Sequence, residues 1–399
     1  MNILEICDDY PPFTEGGVGN TVFALVQEWK RIGVNVHVLC VGSGRYASTR
    51  SEAGLTVTRI PRPDIPPRPL WFQIKGLRLL QPYLAGADIV HGHVSSCALM
   101  AMANRTPKRP WVVTVHGLPR RTFPLYLLRP VAGRVFRDDL VYTLGFPLTE
   151  SLFRLEQCLA DHLVFVSRHD LNDAHLLYGA SLAGKSSSIW APVGESGFTY
   201  GAKPRTKRFT YAYVGRLYWH KGVNLLLNAF GRLVRQNGDV VLRLYGGLTG
   251  GPLEGMMRRR VRELGLGNCV EFKGWMKHEE MLSEISSEVD VMVHPSLYEA
   301  CPIAVLEAMS LGKPIIVSDL PWSQEFVTDG ATGLRTKFDE SSLCSQMKEL
   351  RENNELRSHL GTNARAFIKS GFHPEVIARE YLNLFDKLVA DPGDHRQRD

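Results

Sequence analysis

The chain has 399 residues, of which 44% are hydrophobic and 22% are charged. This length suits two globular domains, because a single hydrophobic core stops growing at about 250–300 residues. The 47 basic and 41 acidic side chains are interleaved and leave a formal charge of +6. That excess excludes the concentrated basic face of a nucleic-acid binder but suits anionic small molecules or a membrane surface.

The cysteines and the N-terminus bear on the compartment. Seven cysteines without a CxxC pair argue against a disulfide framework and a zinc knuckle. The segment Met1–Asp8 contains acids and lacks a basic n-region, so it is typical of a first strand and not of a signal peptide. No apolar run approaches the roughly 20 residues of a membrane-spanning helix. We therefore expect a cytoplasmic protein, either soluble or peripheral on the inner face of the membrane.

The first half of the chain alternates short apolar runs with amphipathic segments. A helix is expected over Asn20–Arg31, with Val22, Leu25, Val26 and Trp29 on its buried face. Strands are predicted at Ile3–Cys7, Val34–Val41, Leu55–Ile60, Asp88–His91, Trp111–His116 and Leu163–Ser167. This alternation indicates a parallel sheet with helices on both faces.

A glycine-rich turn separates the first strand from the first helix. Gly16 and Gly17 would let the backbone approach a phosphate closely, at a helix start whose free amides attract anions. The third glycine of a GxGxxG fingerprint is replaced by Val22, which disfavours a nicotinamide cofactor. A tight turn without a ligand is the alternative.

Histidines stand at the ends of two predicted strands. His116 precedes Gly117 at the carboxyl edge of the sheet, where ligands bind in doubly wound folds, so it is a candidate catalytic residue. The alternative is a packed or surface histidine. His91 and His93 lack a third clustered ligand in the sequence, and we interpret them as structural or cleft-lining residues and not as a zinc site.

The segment from Pro119 to Leu148 mixes aromatic residues with arginines. Its basic members are Arg120, Arg121, Arg129, Arg134 and Arg137. The Arg120–Arg137 region therefore suits an anionic membrane surface or a lipid-phosphate acceptor. A helical excursion packed on the first domain is the alternative.

Residues Gly179–Ser186 match the pattern GxxxxGK[ST] of a P-loop. A working P-loop runs from a strand into a helix. Here a polar helical segment, Asp170–Tyr178, comes first, and an apparent strand begins near Ser188. This reversed order argues against an ATPase or a kinase. Such an enzyme remains the alternative function from a different class.

The second half repeats the strand and helix rhythm after an aperiodic stretch from Ala191 to Lys207, where we place the domain boundary. Strands are predicted at Phe209–Val214, Val240–Tyr245, Cys269–Phe272, Val289–His294, Pro314–Ser318 and Gly333–Arg335. From Glu340 to about Ala390 the chain is expected to be helical, before a polar tail. This pattern predicts a second doubly wound domain.

Two glutamates follow the strand that ends at His294. Glu299 lies in the loop after the strand, and Glu307 lies inside the helix predicted over Ile303–Leu311, in an E-x7-E spacing. Pro302 is expected as the first helical residue. Glu299 could accept hydrogen bonds from sugar hydroxyls and Glu307 from a ribose. The alternative is a loop charge and a solvated helix residue.

Two cations follow the first strand of the same domain. Arg216 and Lys221 would emerge at the same sheet edge as Glu299 and could offset the charge of a diphosphate. No DxD carboxylate pair occurs in the chain, so we expect no metal cofactor. As an alternative, both are ordinary exposed basic residues.

Five spaced features resemble the GT4 family of retaining glycosyltransferases over most of residues 1–385: Gly16-Gly17, His116, Gly215-Arg216 with Lys221-Gly222, Glu299 with Glu307, and Gly312-Lys313-Pro314. The resemblance implies an α/β GT-B fold, two doubly wound Rossmann-like domains facing each other across a cleft. It implies an acceptor domain over residues 1–195, a nucleotide-sugar domain over 208–375, and a C-terminal helix and tail over 376–399 that cross back to the first domain.

The resemblance also implies roles for single residues. Those implied to bind the donor are Gly16, Gly17, Arg216, Lys221, Glu299, Ile303, Ala304 and Glu307. Of these, Arg216 and Lys221 would contact the diphosphate, while Ile303 and Ala304 would supply backbone amides. His116, Glu299, Arg216 and Lys221 are the implied catalytic group. The family often has Gly-Phe-Gly where this chain has Ala300-Cys301-Pro302, and the proline removes one amide donor.

The implied activity is metal-independent, retaining transfer of a hexose from a nucleotide-diphosphate-sugar. The acceptor would be a glycan, a lipid-linked sugar or a small molecule, in glycan or cell-envelope polysaccharide biosynthesis. A nucleotide-sugar epimerase of the same fold and a sugar-nucleotide-binding protein without catalysis remain alternatives.

Overall fold

A computed structural model describes residues 1–12, 16–42, 47–61, 68–93, 97–102, 109–127, 137–194, 196–199, 208–247 and 252–390. The chain divides into two compact units. Unit 1 comprises Met1–Pro192 and Pro374–Asp399, and unit 2 comprises Val193–His373. The chain thus passes from unit 1 to unit 2 at Pro192 and returns at Pro374, whereas the sequence places these changes between residues 195 and 208 and at residue 375.

Unit 1 is built from strands and helices in alternation. Its strands are β1 Asn2–Ile6, β2 Asn35–Gly42, β3 Ser48–Glu52, β4 Leu55–Pro61, β5 Ile89–His93, β6 Trp111–Val115, β7 His162–Phe165 and β8 Ser186–Ser188. Its helices are α1 Gly17–Arg31, α2 Arg68–Gly86, α3 Ala98–Ala101, α4 Pro119–Leu127, α5 Arg137–Leu159, α6 Arg168–Tyr178 and, at the C-terminal end, α15 Pro374–Ala390.

The strands of unit 1 form one sheet in the order β3-β4-β2-β1-β5-β6-β7-β8 among the described residues. All neighbouring pairs are parallel except β3 with β4. The strand order reverses between β1 and β5, which is where doubly wound sheets bind ligands. The antiparallel edge strand β3 was not predicted, because its segment Ser48–Glu52 is polar and exposed and lacks the apolar signal of a buried strand.

Helices α1 and α15 cover one face of this sheet. The prediction that Val22, Leu25, Val26 and Trp29 are buried is confirmed, since none exceeds 2% exposure. The Trp29 indole donates a hydrogen bond to the Ala378 carbonyl of α15 at 3.2 Å. The C-terminal helix is therefore part of the core of unit 1.

Unit 2 holds the remaining elements. Its strands are β9 Phe209–Val214, β10 Val240–Tyr245, β11 Val270–Gly274, β12 Val291–His294, β13 Ile315–Ser318 and β14 Leu334–Thr336. Its helices are α7 Ser196–Thr199, α8 Val223–Asn237, α9 Pro252–Glu263, α10 His278–Glu288, α11 Ile303–Ser310, α12 Pro321–Gln324, α13 Glu340–Glu352 and α14 Asn354–Gly371.

The sheet of unit 2 is parallel throughout its described strands, in the order β11-β10-β9-β12-β13-β14. The chain builds outward from β9 to β11 and then outward from β12 to β14 on the other side. The switch point therefore lies between β9 and β12. The strand bounds at Phe209–Val214 and Val240–Tyr245 are as the sequence predicted.

Two further observations concern membranes and the P-loop pattern. In the described part of the chain, none of the helices combines the length and the apolar composition that crossing a bilayer requires. Residues Ala180–Lys185 form a 3₁₀ helix that leads into β8, so the strand-to-helix order of a P-loop is absent there. The Lys185 ammonium instead donates to the carbonyls of Gln157 and Ala160, at the C-terminal end of α5.

Candidate active site

The loops after β9 and β12 lie side by side at the switch point of unit 2. Gly222 has a φ of +70°, and a Cβ there would lie 1.9 Å from the Pro295 carbonyl oxygen. The Leu297 amide donates to the His220 carbonyl at 2.8 Å. Glycine at 222 is thus required for the two loops to pack, and their packing brings Lys221 next to Glu299.

Lys221, Glu299 and His294 form a compact group at this edge. The Lys221 ammonium lies 2.7 Å from Oε1 of Glu299, and Nε2 of His294 lies 2.7 Å from the same oxygen. The side chains of Lys221 and Glu299 are 14% and 11% exposed. Among the described residues, Oε2 of Glu299 has no hydrogen-bond partner. The structure therefore brings together two of the predicted site residues and leaves one carboxylate oxygen for a ligand.

The charge of Glu299 is stabilised by its neighbours. Burial raises the pKa of Glu299, but the Lys221 ammonium and the His294 hydrogen bond outweigh burial and hold this pKa well below its usual range. Burial and the Lys221 charge lower the pKa of His220 to about 3. The loop pair thus holds one carboxylate anion, and the adjoining His220 stays neutral.

Sequence reasoning did not identify His294 as a site residue. It is the last residue of β12, and the rule that selected His116, a histidine at the carboxyl end of a strand, would have selected it as well. Its ring stacks on Tyr213 at 5.5 Å with an interplanar angle of 6°. This stacking orients Nε2 towards Glu299.

Arg216 lies on the exposed side of the β9 loop. Its guanidinium lies 5.1 Å from the centre of the Tyr218 ring, and its carbonyl accepts a hydrogen bond from the Tyr213 hydroxyl at 2.9 Å. Arg216 is therefore at the same sheet edge as Lys221, as predicted, with its charged group close to solvent.

Helix α11 begins at Ile303. Pro302, which was expected as the first helical residue, is instead the N-cap. The Ile303 amide donates to the Cys301 carbonyl at 3.0 Å. Ala304 lies in the same first turn. The structure thus places both predicted amide donors at the helix start, with that of Ile303 engaged by the loop.

Glu307 lies in the middle of α11 and is bound by a residue that sequence reasoning did not select. Nε2 of His278, the first residue of α10, lies 2.7 Å from Oε1 of Glu307. Burial lowers the pKa of His278, but the Glu307 carboxylate outweighs burial and raises it. Oε2 of Glu307 has no hydrogen-bond partner among the described residues. No sequence signal pairs these two residues, because β11 and β12 are not neighbours in the sheet.

Gly16 and Gly17 lie in unit 1, at the start of α1. Gly16 is the N-cap, with an extended φ of −162° that any residue can adopt. A Cβ on Gly16 would meet nothing closer than a carboxylate oxygen of Asp9 at 3.9 Å among the described residues. Neither its backbone nor its packing requires a glycine at 16.

His116 follows β6 in unit 1 and is hydrogen-bonded to a second histidine. Its Nε2 lies 2.7 Å from Nδ1 of His93, and the two rings stack at 4.9 Å. Nε2 of His93 lies 2.5 Å from Oε1 of Glu5. Nδ1 of His91 lies 2.8 Å from Oε2 of the same carboxylate. Strand β5 ends at His93 and includes both histidines, whereas the sequence predicted that it ends at His91.

Glu5 corrects the premise that His91 and His93 lack a third ligand. The register of the sheet sets Glu5 opposite His91, and the potential ligand atoms of Glu5, His91 and His93 all lie within 4.8 Å of one another. All three side chains are buried and hydrogen-bonded to one another. An acid inside an otherwise apolar first strand was the signal that could have identified Glu5.

The structure distributes the predicted site residues over both units. Arg216, Lys221, Glu299, Ile303, Ala304 and Glu307 belong to unit 2, whereas Gly16, Gly17 and His116 belong to unit 1. Within unit 2 the structure joins Lys221 to Glu299 directly. Glu307 is held separately by His278.

The basic segment of unit 1 is described only in part, since residues 128–136, with Arg129 and Arg134, lie outside the described residues. Arg120 pairs with Glu150 at 2.8 Å, and Arg121 pairs with Asp173 at 2.5 Å. Phe123 and Phe146 stack at 3.9 Å, which packs α4 on α5. Arg120 and Arg121 are thus bound to acids of the same unit.

Two family models match the chain, one on each half. Residues 15–183 match the model described as Glycosyltransferase Family 4, and residues 201–367 match the model described as Glycosyl transferases group 1. The halves that these models cover are also those in which the sequence features of the GT4 resemblance lie.

The chain is similar to several named proteins. It is 31% identical over 183 residues to an uncharacterized glycosyltransferase of Methanocaldococcus jannaschii, a match that spans 44% of this chain and 45% of that protein. It is 26% identical over 411 residues to the alpha-maltose-1-phosphate synthase of Mycolicibacterium smegmatis, which covers 98% of this chain and 100% of the relative.

Two solved structures share the fold. Sucrose-phosphate synthase from Thermosynechococcus elongatus superposes with a TM-score of 0.78 at 22% identity, covering 98% of this chain and 99% of that chain. The Anabaena protein HepE in complex with UDP-glucose superposes with a TM-score of 0.72 at 16% identity, covering 97% and 100%. The predicted α/β GT-B fold is confirmed. The two family models, which match residues 15–183 and 201–367, show that this chain belongs to the GT4-type glycosyltransferases.

Proposed function

We propose that the protein is a metal-independent, retaining glycosyltransferase that moves a sugar from a nucleoside-diphosphate sugar to an acceptor hydroxyl. The observation that carries this proposal is the geometry of Glu299. Lys221 and His294 both bind Oε1, which leaves Oε2 for a hydroxyl of the donor sugar. A carboxylate held in this way is preorganised to accept a hydrogen bond without rearrangement.

The diphosphate would be bound by cations of the same sheet edge. Lys221 and Arg216 both follow β9, so either can stabilise the negative charge that grows on the leaving group. Lys221 would exchange part of its contact with Glu299 for a phosphate oxygen.

The nucleoside would be bound through Glu307. Its Oε2 could accept a ribose hydroxyl while His278 holds Oε1. The Ala304 amide at the start of α11 could donate to a phosphate, and Gly16 and Gly17 could let the backbone of α1 approach one.

Retention would follow from attack on the same face as the departing diphosphate. The anomeric carbon would develop oxocarbenium character while the acceptor hydroxyl passes its proton to the leaving phosphate. Glu299 would then act by electrostatics and not as a nucleophile, because its charge is already shared with Lys221 and His294. A covalent glycosyl-enzyme is the competing mechanism.

The substrates are proposed as classes. HepE was crystallised with UDP-glucose, and the M. smegmatis relative is named for a sugar phosphate product, which supports a nucleotide-sugar donor and a sugar-containing acceptor. A glycan, a lipid-linked sugar or a small molecule would serve as acceptor, in polysaccharide biosynthesis. Epimerisation and ATP hydrolysis gain no support from these matches, and the order of elements around Lys185 argues against the latter.

The experiment is a panel of UDP-, GDP- and ADP-sugars with glycan and lipid extracts as acceptors. We expect nucleoside diphosphate release that depends on the acceptor, and a product with the anomeric configuration of the donor by NMR. Isomerisation of the sugar with the diphosphate intact would select the epimerase. An inverted product would refute retention.

Contact with an anionic membrane through the Arg120–Arg137 region is a separate proposal. The side chains of Arg120 and Arg121 are 37% and 44% exposed beside their acidic partners, so headgroups could still reach them. The double variant Arg120→Gln/Arg121→Gln should weaken binding to vesicles containing phosphatidylglycerol at low salt, since exposed attraction is screened beyond about 10 Å at 0.1 M. Arg258→Gln, which removes an ion-paired arginine of unit 2, is the control. Equal binding by all three proteins would reject the proposal.

A further inference from the structure

A continuous hydrogen-bonded chain runs through the core of unit 1 to His116. It joins Tyr381 of α15 to Thr114 at 2.9 Å, and Thr114 to Nε2 of His91 at 2.7 Å. From His91 it passes through the Glu5 carboxylate to His93 and ends at Nε2 of His116. Nδ1 of His116 has no hydrogen-bond partner among the described residues.

The direction of each bond follows from the charge of Glu5. Burial raises the pKa of Glu5, but the contacts with His91 and His93 outweigh burial and lower it to about 2. An ionised carboxylate only accepts hydrogen bonds. His91 must therefore donate from Nδ1, and His93 must donate from Nε2.

A neutral imidazole carries one proton. When His93 is neutral and donates from Nε2 to Glu5, its Nδ1 offers only a lone pair. The 2.7 Å contact to His116 then requires the proton to be on Nε2 of His116. Burial and the neighbouring histidines hold the pKa of His116 well below its usual range, so this ring is neutral and its Nδ1 is unprotonated.

We propose that Glu5 and His93 are positioning residues that fix the tautomer of His116, so that its Nδ1 serves as a hydrogen-bond acceptor for a substrate hydroxyl. The tautomer itself depends only on unit 1. Its use by a sugar hydroxyl rests on the proposed function. The other arm of the chain, through His91 and Thr114, binds the same carboxylate and, among the described residues, makes no hydrogen bond to His116.

The two arms of the hydrogen-bonded chain allow a matched pair of variants. His93→Phe keeps a ring beside His116 but removes the acceptor that holds its Nε2 proton. Thr114→Val is nearly isosteric and interrupts only the arm that leads to Tyr381. Both positions are buried, so circular dichroism of each variant is recorded first.

The test is ¹⁵N NMR of the histidine-labelled full chain at pH 7.5, which distinguishes protonated from unprotonated ring nitrogens. We expect His93 and His116 to carry a single proton, on Nε2, in the parent protein and in Thr114→Val. In His93→Phe, His116 should populate both tautomers. A proton on Nδ1 of His116, or two protons on His93, would overturn the proposal. The parent spectrum alone decides this if His93→Phe does not fold.

Kinetics separate this inference from the proposed function. His93→Phe should lower kcat/KM for the nucleotide sugar by roughly 3- to 10-fold, the usual effect of losing one neutral hydrogen bond. Affinity for the free nucleoside diphosphate should not change. A protein with the expected tautomer but no transfer would refute the function alone. Active transfer with Nδ1 of His116 protonated would refute the inference alone.

Discussion

Glu5 in unit 1 and Glu299 in unit 2 are both buried carboxylates at switch points of parallel sheets, and each is bound by two cationic or imidazole partners. The partners of Glu5 occupy both of its oxygens, and its side chain has no exposure. The partners of Glu299 share one oxygen, and its side chain is 11% exposed. We call Glu5 closed, because both of its carboxylate oxygens are hydrogen-bonded. We call Glu299 open, because its Oε2 has no hydrogen-bond partner among the described residues.

Because of this difference, the two carboxylates have different roles. A closed carboxylate stabilises the fold and sets the proton positions of its neighbours. An open carboxylate keeps an acceptor site whose charge is already stabilised, which is what binding a sugar hydroxyl requires. The predictions that follow test this contrast.

The largest effect is expected for Glu299→Gln. Losing one preorganised electrostatic contact typically costs about 10²–10³ in rate, or roughly 3–4 kcal/mol. A substitution at an exposed loop position usually changes the free energy of unfolding by less than about 0.5 kcal/mol. Because the structure buries Glu299, we expect about 1–3 kcal/mol of lost stability. Initial rates and chemical denaturation measure the two quantities, and parental turnover would remove Glu299 from the site.

Glu5→Gln should change stability in a pH-dependent way. Its neighbours lower the pKa of Glu5 from the usual 4.5 to about 2 in the folded chain. A lowered carboxyl pKa contributes stability that is present above pH 4.5 and is lost as pH falls towards 2, on the order of 3 kcal/mol. Hydrogen exchange of β1 and β5 in the parent and the variant should therefore differ most near pH 6 and converge as the pH falls towards 2. A difference in hydrogen exchange that stays constant with pH would contradict the role of Glu5 as a closed carboxylate.

Lys221→Ala should weaken both transfer and nucleotide binding. A hydrogen bond between charged groups is worth about 1.5–3 kcal/mol, so we expect roughly 10- to 100-fold weaker binding of the free nucleoside diphosphate. Glu299→Gln should bind that nucleotide like the parent protein, because the free nucleotide carries no sugar. Calorimetric titration of both variants separates the two roles, and equal affinities in all three proteins would place the diphosphate elsewhere.

The smallest effect is expected from a chelator. If Arg216 and Lys221 balance the charge of the diphosphate, EDTA should leave the transfer rate within about twofold of its initial value. Activity that is lost in EDTA and restored by Mg²⁺ or Mn²⁺ would contradict this assignment. Addition of Ca²⁺ controls for a general effect of divalent cations on stability.

Much of the fold could be predicted because its signals are local. Apolar runs such as Phe209–Val214 identify buried parallel strands, and a glycine directly after such a run, as at Gly215, identifies the turn. Lys221 and Glu299 were predictable because both follow strands, and the carboxyl ends of parallel strands share one edge. His294 met the same criterion and was overlooked. Strand β3 has no apolar pattern, so no local signal predicts it.

The sequence by itself determined where strands end and which chemical groups stand at those ends, since both depend on neighbouring residues. Only the tertiary structure decided which groups meet. Glu5 and His93 are 88 positions apart, Lys221 and Glu299 are 78 apart, and His278 and Glu307 are 29 apart. Those contacts depend on the order of strands in each sheet, which long-range packing sets and local pattern does not encode. For the same reason, the difference between a closed Glu5 and an open Glu299 could be read only from the folded chain.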